Sequence, residues 1–139
     1  MSVTFTVFPR RGLVYVRYVG FTRFRETLAV FAEYSRHPDC RPGQKQLVDL
    51  SEVTGFDDDF AGLMNMQAQK ADTFLRDGVQ TLVVYYAPTA ETYEMAGWIR
   101  NSWEGLDGIV CRVLQCEAEA LELLGQPERS FDELMARAE

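Results

Sequence analysis

An uninterrupted apolar run, Leu82-Val83-Val84, constrains the fold more than any other feature of the sequence. It lies at the centre of segment 80–86, and such a run predicts a central strand that is covered on both faces. Segments with the residue spacing of amphipathic helices precede and follow it. Because strands that alternate with helices form largely parallel sheets, this part of the chain predicts an α/β fold.

The other predicted strands extend this pattern along the chain. Residues 3–8 alternate strictly between apolar and polar, and together with residues 13–19 they predict an antiparallel hairpin. We expect Gly20 to end the second strand, and we predict two further strands at 46–50 and 108–114. The fold class is therefore α/β, with a single-layer mixed sheet of about five strands, the first two a hairpin and the rest largely parallel.

About four helices are predicted to cover this sheet, and each has an apolar face at helical spacing. The first is expected to begin at a Thr22 cap, and the second follows a turn-rich connection at 51–57. Ser130 is expected to cap a last turn in a loosely attached helical tail, 126–139, which follows a single domain over 1–125. The faces predicted to be buried are Phe24, Leu28 and Phe31 in the first helix; Phe60, Leu63, Met64, Ala71, Phe74 and Leu75 in the second; and Met95, Ala96, Ile99 and Trp103 in the third.

Composition narrows the class of protein. The 139 residues carry a net charge of −7, whereas proteins that grip phosphate backbones usually present a basic face, so we expect neither nucleic acid nor an anionic membrane as a partner. No apolar stretch has the length of a membrane span, and the first residues do not resemble a signal peptide. Three cysteines without a Cys-x-x-Cys spacing indicate a reducing environment. These features predict a soluble cytoplasmic domain.

No catalytic or cofactor motif is present in the sequence. It lacks the glycine-rich dinucleotide and phosphate loops, the Gly-x-Ser-x-Gly elbow and the His-Glu-x-x-His zinc motif. The single histidine, His37, has Asp39 and Cys40 as neighbours, but the members of a catalytic triad come from separate segments. Cys111 is interpreted as a small core residue. We therefore predict a non-enzymatic protein without a cofactor or a metal.

An acidic cluster, Asp57-Asp58-Asp59, precedes the long second helix. Carboxylates at a helix start accept its free backbone N–H groups, so capping is the simpler interpretation. The alternative is a cation site or an acidic docking patch. No carbonyl-rich calcium loop surrounds these residues.

Gln67 projects into the apolar face of the second helix, between residues such as Met64 and Ala71. A buried amide without partners is costly, so Gln67 either bonds to nearby backbone or water or faces a pocket and binds the polar end of a ligand. In the second case, Phe60, Met64 and Gln67 would line a ligand pocket between the helix and the sheet.

Two aromatic residues flank the buried face of the third helix. Tyr93 and Trp98 lie on opposite sides of it. An exposed tryptophan indicates a contact surface for a second copy or a partner protein. Alternatively, Trp98 folds over the helix edge into a small cluster of its own.

Residues 49–59 carry a pattern that is similar to one in a known protein family: a short strand that ends in Asp49-Leu50-Ser51, then an apolar residue, then an acidic helix start. The segments 83–86 and 110–114, each with the helix that follows, fit the same pattern. Over residues 5–125 the chain resembles the anti-sigma-factor antagonist (STAS, SpoIIAA-like) domains and the bacterial proteins grouped near STAS and CRAL-TRIO domains. The resemblance implies a mixed sheet of four or five strands with helices mainly on one side.

In regulatory STAS domains a serine at the helix start is phosphorylated, and the resemblance implies that this position falls at or near Asp58. The chain has no serine between Ser51 and Ser102, so the phosphorylation switch is expected to be absent. An aspartate there carries less charge than a phosphate. Ser51 lies upstream of the family's position.

Three functional hypotheses follow. The first, implied by the resemblance, is a non-catalytic binding or regulatory module that contacts a protein partner or a second copy through Ser51, Asp57 and Asp58. The second is a carrier of a small apolar or lipid-like ligand. The third is an enzyme, which would require Asp49, Ser51, Tyr85 and Tyr86 to converge near the carboxyl ends of the strands.

Overall fold

The computed structural model describes residues 3–57, 59–74, 78–104, 106 and 108–137. Within these residues, five strands and five helices alternate after an opening hairpin, as the sequence predicts. The elements in chain order are β1 (Val3–Phe8), β2 (Leu13–Thr22), α1 (Phe24–Arg36), β3 (Lys45–Phe56), α2 (Phe60–Phe74), β4 (Thr81–Tyr86), α3 (Ala90–Ser102), β5 (Ile109–Leu114), α4 (Glu117–Leu123) and α5 (Phe131–Ala136).

The strands follow one another across the sheet in sequence order, β1-β2-β3-β4-β5. The first pair is antiparallel and the three other pairs are parallel, which confirms the predicted mixed sheet. Each parallel connection runs through one of the helices α1, α2 and α3, and all three steps move in the same direction. Because such crossovers are almost always right-handed, these helices lie on the same face of the sheet.

The sheet therefore separates two cores. The larger core packs α1, α2 and α3 on one face, around residues such as Val14, Val48 and Tyr85. The smaller core packs α4 and α5 on the other face, around Leu47 and Val84. Because successive side chains of a strand point to opposite faces, the apolar run in β4 supplies both cores, as expected for a central strand.

Strands β2 and β3 are longer than the sequence indicates. Gly20 does not end β2, which continues to Thr22. Gly20 takes a positive φ of 76° and lies beside a register shift in the pairing with β3. Pairing with this extension keeps residues 51–56 in β3, where a loop was expected. Thr22 is not the cap of α1 either. Arg23 holds that position, and the Thr22 hydroxyl is buried without a hydrogen-bond partner.

The buried face of α1 differs from the prediction and that of α2 agrees only in part, whereas that of α3 is largely as predicted. In α1 the buried residues are Thr27, Val30 and Tyr34, and the predicted face is only half-buried. In α2 the predicted Leu63 and Ala71 are buried, but Met64 is 37% exposed, and Met66, Gln67 and Lys70 are buried instead. The side chains at 60 and 74, and residue 75, lie outside the described part. In α3, Ala96, Ile99 and Trp103 are buried as predicted, and Met95 is half-buried.

The segment after Gly125 is packed on the smaller core, contrary to the expected loose attachment. Phe131 and Leu134 are buried there. Glu128 is also buried, and it accepts two hydrogen bonds from the Arg11 guanidinium, at 2.6 and 3.0 Å. These hydrogen bonds lower the pKa of Glu128 to about 2. In the part of the chain that the structure describes, no helix combines the length and the apolar character needed to cross a membrane.

Candidate functional site

A cavity of about 50 Å³ lies between the sheet and the helices of the larger core; we call it the main cavity. Its volume is several times the minimum needed for one water molecule, so it has room for a few atoms of a ligand. The partly exposed side chains Phe5, Val16 and Phe31 lie at its edge, near β1 and α1. The lining residues are Val3, Phe5, Val14, Val16, Tyr18, Thr27, Val30, Phe31, Tyr34, Gln46, Val48, Lys70, Val83, Tyr85 and Trp103.

Aromatic side chains give the main cavity a rigid wall. Phe5 and Phe31 each pack edge-on against Tyr34, with ring centroids 5.9 and 5.8 Å apart. Trp103, which follows α3, donates a hydrogen bond from Nε1 to Tyr85 Oη at 3.0 Å. Burial raises the pKa of Tyr85 well above its ordinary value, so its hydroxyl stays protonated.

A second, smaller cavity of about 10 Å³, the inner cavity, continues toward the other end of α2. It shares Tyr18, Lys70 and Tyr85 with the main cavity, so these three residues mark the junction of the two spaces. Gln67 lines the inner cavity. Burial raises the pKa of Tyr18 to about 12, so both tyrosines at the junction are uncharged at neutral pH.

Lys70 is the unusual member of this junction. It lies in α2, is only 8% exposed, and has no hydrogen-bond or ion-pair partner among the residues that the structure describes. Burial disfavours its charged form and lowers its pKa to about 8. A buried ammonium group is normally paired, because removing a charge from water without compensation is costly. A lysine side chain that is so largely buried beside two cavities, with no partner for its amine, therefore marks a candidate binding site.

Gln67 presents an unsatisfied acceptor to the inner cavity. Its Nε2 donates to Ser102 Oγ at 3.0 Å, and that hydroxyl in turn donates to the Ile99 carbonyl. The direction of these two hydrogen bonds fixes the orientation of the Gln67 amide. The Ser102 hydroxyl already donates its own proton, so it must accept one from Gln67, and only Nε2 can supply it. Gln67 Oε1 is then left fully buried with no donor, and Thr27 Oγ1 is left unpartnered in the main cavity.

The predicted ligand pocket is thus only partly formed by the residues expected to line it. Gln67 lines the inner cavity, Met64 lines neither cavity, and the side chain of Phe60 lies outside the described part. Lys70 was not anticipated, because a lysine on a helix is ordinarily solvent-exposed. Its spacing was the available signal, since Leu63, Gln67, Lys70 and Ala71 follow one another at helical intervals on one face.

A polar cleft of about 480 Å³ lies on the opposite face of the sheet, beside α5. It collects Asp49, Ser51 and Tyr86, three of the four residues that the enzyme hypothesis requires. Tyr85 points to the other face, because neighbouring residues of a strand alternate. Tyr15, Arg17, Glu52 and Glu117 are further lining residues.

Hydrogen bonds occupy both carboxylate oxygens of Asp49. Ser51 donates to Oδ1 from its backbone N and from Oγ, at 2.9 and 2.7 Å, and Tyr15 Oη donates to Oδ2 at 2.5 Å. Burial and this carboxylate raise the pKa of Tyr15. Burial, reinforced by the Glu117 and Asp49 carboxylates, raises that of Tyr86. No imidazole lines this cleft among the described residues, so Ser51 has no base of the kind that activates a serine nucleophile.

A second cleft, the surface cleft, is mainly apolar and has a volume of about 400 Å³. It is lined by Gly55, Phe56, Asp57, Met95 and Trp98. Trp98 is half-buried and packs against the larger core. Of the predicted regulatory residues, the structure therefore brings Asp57 next to Trp98 and places Ser51 in the polar cleft. Tyr93 is 43% exposed and does not line this surface cleft.

One member of the acidic cluster caps a helix other than the one expected. Asp57 Oδ2 accepts a hydrogen bond from the backbone N of Phe24 at 2.9 Å, so Asp57 stabilises the start of α1 rather than α2. Asp59 precedes α2, and its carbonyl accepts from the Leu63 N–H at 2.9 Å. Asp58 lies outside the described residues.

The remaining candidates form no site together. His37 Nδ1 accepts a hydrogen bond from the backbone of Asp39, and its ring packs edge-on against Phe5. Burial raises the pKa of the Cys111 thiol to about 12. Among the described residues, no group of three histidine, cysteine or acidic side chains is arranged to hold a metal ion.

Comparison of the sequence with protein-family models gives no match, and a search of curated proteins finds no similar sequence. The case for function therefore rests on the geometry of these cavities and clefts.

Proposed function

We propose that this protein binds a small, mainly apolar molecule in the main cavity, with the polar end of the molecule at Lys70. One observation carries this proposal: the Lys70 side chain, only 8% exposed and without a hydrogen-bond or ion-pair partner among the described residues, lines both cavities. A ligand that supplies a polar atom at this point would satisfy the amine, while the apolar wall of the main cavity would hold the rest of the molecule.

Two buried, unpartnered polar atoms of cavity-lining residues support the same interpretation. Thr27 Oγ1 lies in the main cavity wall and Gln67 Oε1 in the inner one. A few convergent polar groups in an otherwise apolar pocket are typical of small-molecule sites. Ordered water is the alternative occupant, since water often satisfies buried polar groups. A ligand differs from water in filling the apolar part of the main cavity as well.

Trp103 provides the test, because its ring lines the main cavity. Its fluorescence is isolated in a Trp98→Phe background, since the chain has only two tryptophans. We expect short-chain alcohols and aldehydes of about four carbons to change the Trp103 emission saturably. Lys70→Met should weaken this response, whereas Lys45→Met, which changes the other lysine of the chain outside the cavity, should leave it intact. A linear, unsaturable response to every compound would contradict the proposal.

A second candidate function is a protein-interaction module of the STAS-like kind. The observation that favours it is the surface cleft, which joins Phe56 and Asp57 to Trp98. The chain alone can test the self-association form of this candidate. Sedimentation velocity over a range of concentrations should then show a dimer that Trp98→Ala disrupts. A monomer at all concentrations would contradict self-association through this surface.

A further inference from the structure

The chain contains only two lysines, and their surroundings differ sharply. Lys45 Nζ donates a hydrogen bond to the Leu124 carbonyl at 3.0 Å. Lys70 has no partner among the described residues and lies at the junction of the main and inner cavities. In an apolar pocket a lysine is desolvated, and its amine can then act as a nucleophile toward carbonyl compounds.

We propose that Lys70 captures small apolar aldehydes as a reversible imine. This inference rests on the proposed function, since the aldehyde must first enter the main cavity. It identifies the ligand as an aldehyde and adds a covalent bond between the ligand and Lys70 Nζ.

The step balances without an oxidant or a reductant. The lone pair of the neutral Nζ forms a bond to the carbonyl carbon, and a proton moves from nitrogen to oxygen to give a carbinolamine. The carbinolamine loses its hydroxyl group together with the second nitrogen proton as one water molecule, which leaves a C=N bond. Water reverses the step. The protonated hydroxyls of Tyr18 and Tyr85 line the same junction and can donate hydrogen bonds to the oxygen that leaves.

Gln67 offers a hydrogen-bond acceptor to the carbinolamine intermediate. Its Oε1 lines the inner cavity, beside the junction, and lacks a donor. The carbinolamine carries a hydroxyl and an N–H, and either can donate to Gln67 Oε1. The main cavity also contains no second cation among its lining residues to help bind a carboxylate.

The size of the main cavity favours covalent capture. A volume of about 50 Å³ accommodates only a few ligand atoms. A ligand of so few atoms makes few contacts with the cavity wall, so it binds weakly without a bond to the protein. An imine retains such a ligand while leaving its release reversible.

Reductive trapping of the wild-type protein tests the inference directly. The protein is incubated with butanal and cyanoborohydride at pH 7.5, and peptide mass spectrometry locates the added butyl group. We expect Lys70 to be labelled at least ~10-fold faster than Lys45, because its lower pKa gives it a much larger neutral fraction. The preference should disappear in urea, where both lysines are exposed. Equal labelling of the two lysines in the folded protein would overturn the inference.

The Trp103 response separates failure of this step from failure of the proposed function. Butanol fills the same space but forms no imine. A saturable Trp103 response to butanol and butanal without preferential Lys70 labelling overturns the imine step alone. Absence of a response to either compound overturns cavity binding and, with it, the imine. Lys70→Arg, which keeps a cation but cannot form an imine under these conditions, should remove the preferential labelling.

Discussion

Trp103 and Tyr85 are joined by a hydrogen bond of 3.0 Å in the wall of the main cavity. The indole therefore holds the tyrosine hydroxyl at the place where the main and inner cavities meet. This pair links the stability of the larger core to the proposed site, because both side chains are buried and both line the main cavity.

Trp103→Phe should destabilise the protein by about 1–3 kcal/mol, because it removes part of the buried apolar volume and leaves Tyr85 Oη without its donor. It should also abolish the fluorescence response to cavity ligands. Trp98→Phe is the matched control, since Trp98 lies in the surface cleft and should preserve that response. Urea denaturation and ligand titration of the two variants measure both effects. Retention of the full response in Trp103→Phe would show that the ligand binds elsewhere.

Lys70→Met should stabilise the protein at pH 7. In the folded state the pKa of Lys70 falls from 10.5 to about 8, so the unfolded chain binds more protons between these values and stability rises with pH across that window. The stabilisation by Lys70→Met should be on the order of 3 kcal/mol at pH 7 and below about 1 kcal/mol at pH 10.

The other titratable groups that line the main and inner cavities are Tyr18, Tyr34 and Tyr85, and no carboxylate lines either cavity among the described residues. Urea denaturation of wild type and variant at several pH values isolates the lysine contribution as a difference. Lys45→Met provides the control, because its amine lies outside both cavities. A stability gain that is independent of pH would indicate that Lys70 is not desolvated.

Acid should weaken the attachment of the C-terminal segment through Glu128. Its pKa in the folded state is about 2, below the ordinary value of 4.5, so its contribution to stability is present above pH 4.5 and is lost as the pH falls toward 2. Glu128→Gln should therefore reduce stability at pH 7 and flatten the acid dependence in that window. Glu52→Gln, which alters an exposed ion pair with Arg17, should change stability by less than about 1 kcal/mol. Identical acid profiles for wild type and Glu128→Gln would contradict this account.

Asp57→Ala should cost about 1 kcal/mol, because it removes the acceptor for the Phe24 N–H at the start of α1. Asp72→Ala alters an exposed position of α2 and should change stability by no more than about 0.5 kcal/mol. Thermal unfolding of both variants compares them. Equal effects would mean that the Asp57 cap contributes nothing measurable.

The order of strands and helices could be predicted from the sequence because local patterns carry it. The apolar run at 82–84 marks the central strand. Thr89 marks the start of α3, where it forms a reciprocal capping box with Thr92. Such signals depend only on neighbouring residues, and the structure satisfies them.

The extension of β3 could not be predicted in the same way. Residues 51–55 contain the polar and small side chains of a loop, and their strand conformation depends on pairing with the end of β2. That pairing in turn depends on the positive φ of Gly20 at the register shift. In the sequence, Gly20 indicates only the end of a strand. Tertiary contacts therefore override local propensity here.

The candidate site was predictable only in part, for a related reason. Gln67 stands out because it interrupts an apolar face, whereas Lys70 has the appearance of a surface lysine until the packing of α1 and α3 around α2 is known. The surroundings of the Lys70 amine are a property of the assembled cavities, to which four strands and three helices contribute.

The most direct test of the central claim is NMR titration of the protein with isotope-labelled lysine. The two lysines give two ε-methylene signals, and Lys70→Arg assigns them. We expect the Lys70 signal to titrate near pH 8, well below the ordinary value, and to shift when butanal or butanol is added at neutral pH. Neither compound should shift the Lys45 signal. An ordinary pKa near 10.5 for Lys70, together with no shift on addition of either compound, would contradict a ligand site at this lysine.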